Sequence, residues 1–211
     1  VPNGIERGSS NSESSRFESI QNNLDELDGE ITVGYIGSLR DLEGVDMTVD
    51  AVSELFKKGH DVKFFCLTGS TGQDELRQRS NNLGLKARSL ITGPVPHLEV
   101  KQYYDLIDIF VVSRPDYPVT RTVTPLKPFE AMAQSLPVVV TNLPALTEIV
   151  EDSVTGIVTE NNDLPSLVES IEKLIQDSTL RRELGKQAKT WVEKERSWDN
   201  LVQRYLPVYN K

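Results

Sequence analysis

The sequence predicts an α/β protein of the doubly wound, Rossmann-like class, in which one parallel sheet carries helices on both faces. Two observations lead there: short apolar segments rich in β-branched residues recur along the chain, and a segment with helical periodicity follows most of them. Strands that are apolar almost throughout are typical of a parallel sheet covered on both sides. In such sheets ligands bind in the loops that follow the carboxyl ends of the strands.

The first strand and helix show this pattern most clearly. Ile31-Thr-Val-Gly-Tyr-Ile36 is a β-branched and aromatic run that ends at Gly37. A helical face follows, formed by Val45, Val49, Val52 and Phe56. The other predicted strands are 62–67, 89–92, 109–113, 137–141 and 155–159, and the other predicted helices are 73–83, 97–107, 125–135, 144–150, 163–176, 178–195 and 197–206.

Residues 1–29 differ in composition from the rest of the chain. Six serines lie there among Asn, Glu and Asp, with few apolar residues. We therefore predict a polar lead-in over 1–29 with one short helix over 16–27, and a single domain over 30–211. Because the chain begins at Val1 rather than at a methionine, we expect it to be a piece of a longer protein.

Composition excludes several classes of function. Among 211 residues, acidic side chains outnumber basic ones by 32 to 23, which argues against a surface for nucleic acid or anionic membranes. A single cysteine, Cys66, excludes an internal disulfide and fits a cytoplasmic location. His60 and His97 are too few, with that cysteine, for a zinc cluster.

A glycine-containing loop follows the first strand. Gly37, Ser38 and Arg40 precede Gly44, which opens the next helix. Glycine lets the backbone approach a phosphate, and a helix N-terminus attracts negative charge. A tight strand-to-helix turn explains the same glycines equally well, because both the Gly-x-Gly-x-x-Gly spacing and the Gly-Lys-Ser/Thr loop are absent.

The stretch over residues 121–134 carries the strongest chemical signal. Pro125 suits a first helical turn, which would direct Leu126, Phe129 and Ala133 to the core. Lys127 and Glu130 then share the opposite stripe with Gln134.

Lys127 and Arg121 would supply cations where helix amides already favour an anion. Glu130 would offer two carboxylate oxygens to a diol. An anion beside a diol describes the phosphates and ribose of a nucleotide. A solvated helical face with a weak Lys127–Glu130 pair is the alternative interpretation.

Several motifs, in order and with matching spacing, resemble the C-terminal half of the family 4 retaining glycosyltransferases, which have the B-type fold. The matching segments are Val1-Pro-Asn-Gly-Ile5, Tyr35-Ile-Gly-Ser-Leu39, Glu43-Gly44, Pro125-Leu-Lys-Pro-Phe-Glu-Ala-Met-Ala133, Pro137-Val-Val-Val140, Glu148-Ile-Val150 and Thr155-Gly-Ile-Val158. The resemblance implies that this chain is the half that binds a nucleotide-diphosphate sugar, and that an N-terminal domain holding the acceptor is missing from it. It also implies that no metal or other cofactor is needed.

The family's pair of glutamates, with seven residues between them, is only half present. Glu130 matches the second, which typically binds the ribose hydroxyls, whereas the first falls on Thr122. Thr122 or Thr124 would then bond a sugar hydroxyl. The residues whose amides usually bind the sugar and the β-phosphate align with Thr124, Pro125 and Leu126, although a proline has no amide hydrogen to donate.

The sequence also departs from the family pattern in the first glycine loop. The common Arg and Lys there align with Ser38 and Glu43. We expect Glu43 to turn away from the site or to cap the next helix, and Arg40, Arg121 and Lys127 to serve as substitute cations. The base is expected in the loop Gly93-Pro-Val-Pro96, with Val95 in contact with uracil or guanine.

The function predicted from these residues is transfer of a sugar, with retention, from a UDP- or GDP-linked donor in bacterial polysaccharide or glycolipid synthesis. Lys127, Glu130 and Arg121 are the predicted catalytic residues. A degenerate nucleotide-binding or assembly module, or a nucleotide-sugar epimerase of the same architecture, are the alternatives. We expect the full-length protein to lie in the cytoplasm, in a peripheral position at the inner face of the membrane if it contacts one.

A last pattern concerns the end of the chain. Aromatic and leucine residues at helical spacing predict a face that braces the other domain or forms a homodimer, namely Trp198, Leu201, Tyr205, Leu206 and Tyr209.

Overall fold

A six-stranded, all-parallel sheet organises the computed structural model, which describes residues 10–69 and 71–196. Its strands are β1 (Ile31–Ile36), β2 (Val62–Leu67), β3 (Ser89–Thr92), β4 (Ile109–Val112), β5 (Val138–Thr141) and β6 (Ile157–Thr159). Their spatial order is β3-β2-β1-β4-β5-β6, so the direction of winding reverses between β1 and β4. The predicted doubly wound sheet is confirmed, and the crevice of such a fold lies at that reversal.

The helices of the described residues follow the strands almost one by one. They are α1 (Ser10–Asp25), α2 (Val45–Lys57), α3 (Gln73–Asn82), α4 (Val100–Tyr103), α5 (Pro118–Thr122), α6 (Lys127–Ala133), α7 (Pro144–Thr147), α8 (Leu164–Gln176) and α9 (Ser178–Glu195). Helix α2 packs against α8, and α6 packs against α9. None of these helices is both long enough and apolar enough to cross a membrane. The aromatic and leucine stripe predicted beyond residue 196 lies outside the described residues.

The central strands form the core because most of their side chains are apolar on both faces. Every residue of β2, β4 and β5 is buried. Strand β1 lies between β2 and β4, and Val33 pairs with Phe64 on one side and Ile109 on the other. Cys66 is buried in β2 as a free thiol, and burial raises its pKa. A packing role, as predicted for this cysteine, agrees with that environment.

The lead-in segment is more ordered than its composition predicts. Helix α1 begins at Ser10 rather than at residue 16, and Ile20 and Leu24 are buried in the core. The buried Nζ of Lys63, on β2, donates to the Leu24 carbonyl at 3.0 Å. Residues 10–25 therefore share a core with the sheet, although a boundary at residue 29 separates them by composition. Only one narrow face of α1 is apolar. Because most residues of the segment are polar, its composition alone does not indicate that this face is buried.

Two predicted helices have different bounds in the structure. The helix predicted over 97–107 divides into a 3-10 turn at His97–Glu99, α4, and a second 3-10 turn at Tyr104–Leu106. The helix predicted over 125–135 begins at Lys127, because Pro128 rather than Pro125 occupies its first turn.

The later start of α6 changes which of its residues face the core. Pro128, Ala131 and Met132 are buried, whereas Leu126 is 70% exposed. The prediction that Leu126 faces the core is therefore wrong.

Helices α6 and α9 approach each other closely at one glycine. A Cβ atom on Gly185, in α9, would lie 1.9 Å from the backbone carbonyl oxygen of Ser135, just past α6. Alanine normally stabilises a helix interior by about 1 kcal/mol relative to glycine. We expect Gly185→Ala to lower the free energy of unfolding instead, by about 2 kcal/mol, because α9 must move away from that carbonyl.

Urea unfolding of the 211-residue chain measures this effect. Gly69→Ala is the matched control, since a Cβ there meets no atom within 4 Å. Its unfolding free energy should stay within about 0.5 kcal/mol of the wild type. A Gly185→Ala protein as stable as the wild type would show that the close approach is not a constraint.

Candidate functional site

The loops after β1 and β4 meet at the carboxyl edge of the sheet, where the site was predicted. A Cβ on Gly44 would lie 1.9 Å from the Ser113 carbonyl oxygen, and the Ser113 hydroxyl donates to the Gly44 carbonyl at 2.7 Å. Gly37 has a φ of 153°, and its missing side chain leaves room for Lys127, whose Cε would lie 2.0 Å from a Cβ at residue 37. The glycines of this loop therefore permit close packing between the loop and its neighbours.

Glu43 lies at the centre of this edge and is completely buried. Its carboxylate accepts hydrogen bonds from Arg114, at 3.1 Å from Nε and 3.2 Å from Nη2, and from Lys127 Nζ at 3.0 Å. The expectation that Glu43 caps α2 is wrong, because Gly44 occupies the N-cap and no side chain bonds there. The alternative, that Glu43 turns away from a bound diphosphate, stays a prediction. We name Glu43, Arg114 and Lys127 the buried charge cluster.

The buried charge cluster carries a net positive charge. Burial by itself would raise the pKa of the Glu43 carboxyl, but the hydrogen bonds from Arg114 and the charge of Lys127 outweigh it, so that this pKa lies below its ordinary value of 4.5. Glu43 is therefore ionised at neutral pH, and one anion faces two cations. The Nζ of Lys127 also lies 5.6 Å from the ring centre of Tyr35.

The two predicted arginines occupy different surroundings. The side chain of Arg40 is 69% exposed, and its Nη2 lies 3.9 Å from a Glu43 oxygen, next to the buried charge cluster. Arg121 instead forms a two-pronged ion pair with Asp116, with Nη2 2.6 Å from Oδ2. The hydrogen bonds from Arg121 hold the pKa of the Asp116 carboxyl below its usual range. The catalytic role predicted for Arg121 stays a prediction.

The side chains between Arg121 and α6 that were predicted to bind the sugar already contact other parts of the protein. Helix α5 forms between the predicted strand 109–113 and the predicted helix 125–135. Within α5, the Thr122 hydroxyl donates to the Pro118 and Val119 carbonyls at 3.3 Å. The Thr124 hydroxyl donates to Glu148. Pro125 is buried. A sugar that bonds either threonine would have to share or displace these contacts.

Glu130 pairs with a residue that the sequence analysis did not select. The Lys127–Glu130 pair of the alternative interpretation does not form, because Lys127 binds Glu43 and the Tyr104 hydroxyl donates to Glu130 Oε2 at 2.7 Å. Glu130 is exposed on a cavity of about 280 Å³ that it lines with Tyr104. The other lining residues are His97, Val100, Lys101, Ala133 and Gln134.

The predicted base loop borders a second, smaller cavity. Val95 and Pro94 line it together with Gly37 and Thr68, in a volume of about 170 Å³. The Thr68 hydroxyl is buried and has no hydrogen-bond partner among the described residues. One acceptor of the loop is already used, since Arg16 donates to the Pro94 carbonyl. Base recognition by Val95 stays a prediction.

Two residues of this edge were missed by the sequence analysis. Arg114 follows a buried strand directly, and that position is a signal because the loop after residue 113 belongs to the ligand-binding edge. Tyr104 gives no such signal, because it lies in the segment that the sequence predicts as one helix over 97–107. Across residues 10–69 and 71–196, no group of three or more His, Cys, Asp or Glu side chains could hold a metal ion.

We expect Glu43→Gln to lower the free energy of unfolding by about 3 kcal/mol at pH 7, because it leaves buried Arg114 without a counter-charge. The folded-state pKa of Glu43 is lowered, so its contribution is present above pH 4.5 and is lost as the pH falls through the folded value. The difference between variant and wild type should therefore shrink below that pH.

Chemical unfolding between pH 3.5 and 7 measures this difference. Glu54→Gln is the control, because Glu54 pairs with Lys57 at 2.8 Å on the surface. It should change stability by no more than about 0.5 kcal/mol at pH 7. A loss for Glu43→Gln no larger than this control would contradict a structural role for the cluster.

Comparison with solved structures gives the same fold. The C-terminal domain of a group 1 glycosyl transferase, LpcC from Francisella tularensis, superposes with a TM-score of 0.70 at 23% identity and covers 84% of this chain and 93% of that one. The structure of Anabaena HepE, solved with UDP and glucose, has a TM-score of 0.76 at 20% identity over 96% of this chain and 53% of that one.

Sequence relatives extend the comparison. CapM, a capsular polysaccharide biosynthesis glycosyltransferase of Staphylococcus aureus, is 27% identical over 208 residues, which cover 94% of this chain and 53% of CapM. The lipopolysaccharide core mannosyltransferase LpsB of Rhizobium meliloti is 30% identical over 69% of this chain and 41% of LpsB. The chain thus spans about half the length of the curated relatives it matches.

A family model matches most of the chain. The model described as "Glycosyl transferases group 1" matches residues 16–191, which include the buried charge cluster and Glu130. The fold agrees with this match, since the chain has a six-stranded parallel sheet and superposes on the C-terminal domain of LpcC. The chain therefore belongs to the group 1 glycosyltransferases.

Proposed function

We propose that this chain is the donor-binding domain of a retaining glycosyltransferase that transfers a sugar from a nucleotide-diphosphate sugar in bacterial polysaccharide or glycolipid synthesis. One observation carries the proposal: Lys127 lies over Gly37 at the carboxyl edge of the sheet, and Glu130 follows it by three residues on the same helix. Residues three apart on a helix have Cβ atoms about 5–6 Å apart. A cation and a carboxylate at that separation suit the diphosphate and the ribose of one nucleotide.

Lys127 would bind the diphosphate. An ammonium group has three donors, and Glu43 accepts only one of them, at 3.0 Å. The excess positive charge of the buried charge cluster would stabilise the negative charge that develops on the leaving nucleoside diphosphate. Arg40, exposed beside the cluster, would add a second cation at the rim.

Glu130 would bind the two ribose hydroxyls. Its side chain is exposed to the 280 Å³ cavity, while helix α6 holds its backbone against the core through Ala131 and Met132. With the diphosphate held by Lys127, a fixed ribose would help to position the anomeric carbon of the donor sugar, where the bond breaks.

The relatives and neighbours support this class of donor and product. The structures of HepE include complexes with UDP and with UDP-glucose, and CapM is named for capsular polysaccharide synthesis. Because the chain spans about half of such relatives, we propose that a second domain supplies the acceptor. The chain alone should then bind the nucleotide but should not catalyse sugar transfer. A contact of the full-length protein with the inner membrane face, and a homodimer through the C-terminal stripe, belong to the same proposal.

Calorimetric titration of the chain with UDP, GDP and ADP tests the proposal. We expect at least one of UDP and GDP to bind with a Kd below about 1 mM, a free energy of about −4 kcal/mol. Glu130→Ala should weaken that binding about tenfold, because it removes two charge-assisted hydrogen bonds to ribose. The proposal fails if neither UDP nor GDP binds at millimolar concentration.

Lys127→Met separates the diphosphate contact from the rest. It should weaken UDP or GDP about tenfold and change the affinity of the matching nucleoside less than twofold, since only the diphosphate needs the ammonium. Lys57→Met is the control, because Lys57 pairs with Glu54 at the exposed end of α2. If Lys127→Met weakens the nucleotide and the nucleoside by the same factor, Lys127 does not bind the diphosphate.

A further inference from the structure

The contact between Tyr104 and Glu130 is unusual for an exposed carboxylate. The Tyr104 side chain is only 2% exposed, yet its hydroxyl reaches the surface carboxylate of Glu130 at 2.7 Å. The two residues belong to separate elements, a 3-10 turn before β4 and helix α6. A buried donor from one element therefore holds the side chain that another element presents to the cavity.

We propose that Tyr104 is a positioning residue that orients the Glu130 carboxylate for the ribose diol, and that it thereby sets the preference of the site for ribonucleotides over 2′-deoxyribonucleotides. The inference rests on the proposed function, in which Glu130 binds the ribose.

The geometry leaves the carboxylate free to bind a diol. Tyr104 takes one lone pair of Oε2, and Oε1 has no hydrogen-bond partner within the part of the chain that the structure describes. A carboxylate has about four acceptor sites, so both oxygens can still accept from hydroxyl groups. A diol can donate to both oxygens at once, and a carboxylate whose plane is already fixed makes the two bonds with a smaller loss of side-chain entropy.

Packing fixes the donor itself. The Tyr104 ring lies 5.6 Å from the ring of Phe110 in β4, so the hydroxyl projects from a buried, aromatic base. Burial, followed by the hydrogen bond and the charge of Glu130, raises the pKa of Tyr104, so its hydroxyl stays protonated and donates. An orientation fixed during folding does not have to be paid for when the ligand binds.

Tyr104→Phe removes only the hydroxyl, and Tyr103→Phe is its matched control. Tyr103 is the preceding residue, it is buried, and its hydroxyl has no hydrogen-bond partner among the described residues. Its ring contacts Phe17 at 5.3 Å rather than Glu130. Both variants keep an aromatic ring in place, and thermal unfolding of each checks that the fold is retained.

The measurement is the ratio of the Kd of a 2′-deoxynucleoside diphosphate to that of its ribo form, by calorimetry on the 211-residue chain. The pair is UDP with 2′-deoxy-UDP, or GDP with 2′-deoxy-GDP, whichever ribo form binds more tightly. For wild type we expect a ratio of about ten, equivalent to about 1.4 kcal/mol for the lost hydroxyl contact. Tyr104→Phe should lower the ratio to about three or less by weakening the ribo form alone, and Tyr103→Phe should keep it near ten.

A double-variant cycle supplies the second measurement. Once Glu130→Ala has removed the carboxylate, adding Tyr104→Phe should leave the ratio unchanged, because the tyrosine acts through the glutamate.

Each outcome bears on one proposal or on both. If wild type discriminates and Tyr104→Phe discriminates equally well, or loses the same affinity for both sugars, the positioning role is overturned and the proposed function stands. If wild type binds the ribo and 2′-deoxy forms equally, Glu130 makes no useful contact with the 2′-hydroxyl, and both its binding of the diol and the positioning role of Tyr104 are overturned. If wild type binds neither UDP nor GDP, the proposed function fails first, and the positioning role with it.

Discussion

A carboxylate that water cannot reach must find its counter-charge inside the protein, and at Glu43 two separate parts of the chain supply it. Breaking a buried ion pair typically costs about 3–5 kcal/mol, so the cluster constrains every element that contributes to it. Arg114 brings the end of β4 to Glu43, and Lys127 brings the start of α6. The path of Lys127 over Gly37 and the position of Glu130 further along α6 both follow from that anchoring.

The same arrangement recurs at each charge that would meet a nucleotide. The ammonium of Lys127 is held by buried Glu43, and the carboxylate of Glu130 is held by buried Tyr104. Long charged side chains lose rotamer freedom when they bind a ligand, which lowers affinity. At this site much of that loss occurs during folding, because the partner of each charge is part of the core. The site is thus stiff where it would meet phosphate and ribose.

Sequence reasoning recovered the elements whose signal is local. Strands β1 and β2 match the predicted residues because continuous apolar runs bounded by glycine have few other interpretations. Glu43 was misjudged because its partners lie 71 and 84 residues away, and charge alone suggested repulsion from a phosphate. The first turn of α6 was misjudged because Pro125 and Pro128 both suit such a position, and tertiary packing decides between them. Tyr104 was missed for a related reason, since a hydroxyl contact across 26 residues leaves no periodic trace.

The buried charge cluster also limits which substitutions its three residues can accept. The resembled family commonly carries a lysine at the position of Glu43, but beside Arg114 and Lys127 a lysine would bury three cations together. A lysine at residue 43 would therefore cost less stability in a chain that had already lost one of the other two cations. The charges at the three positions are therefore energetically coupled, although the residues lie far apart in the chain. A single substitution at residue 43 consequently cannot reverse its charge without leaving three cations together in the interior.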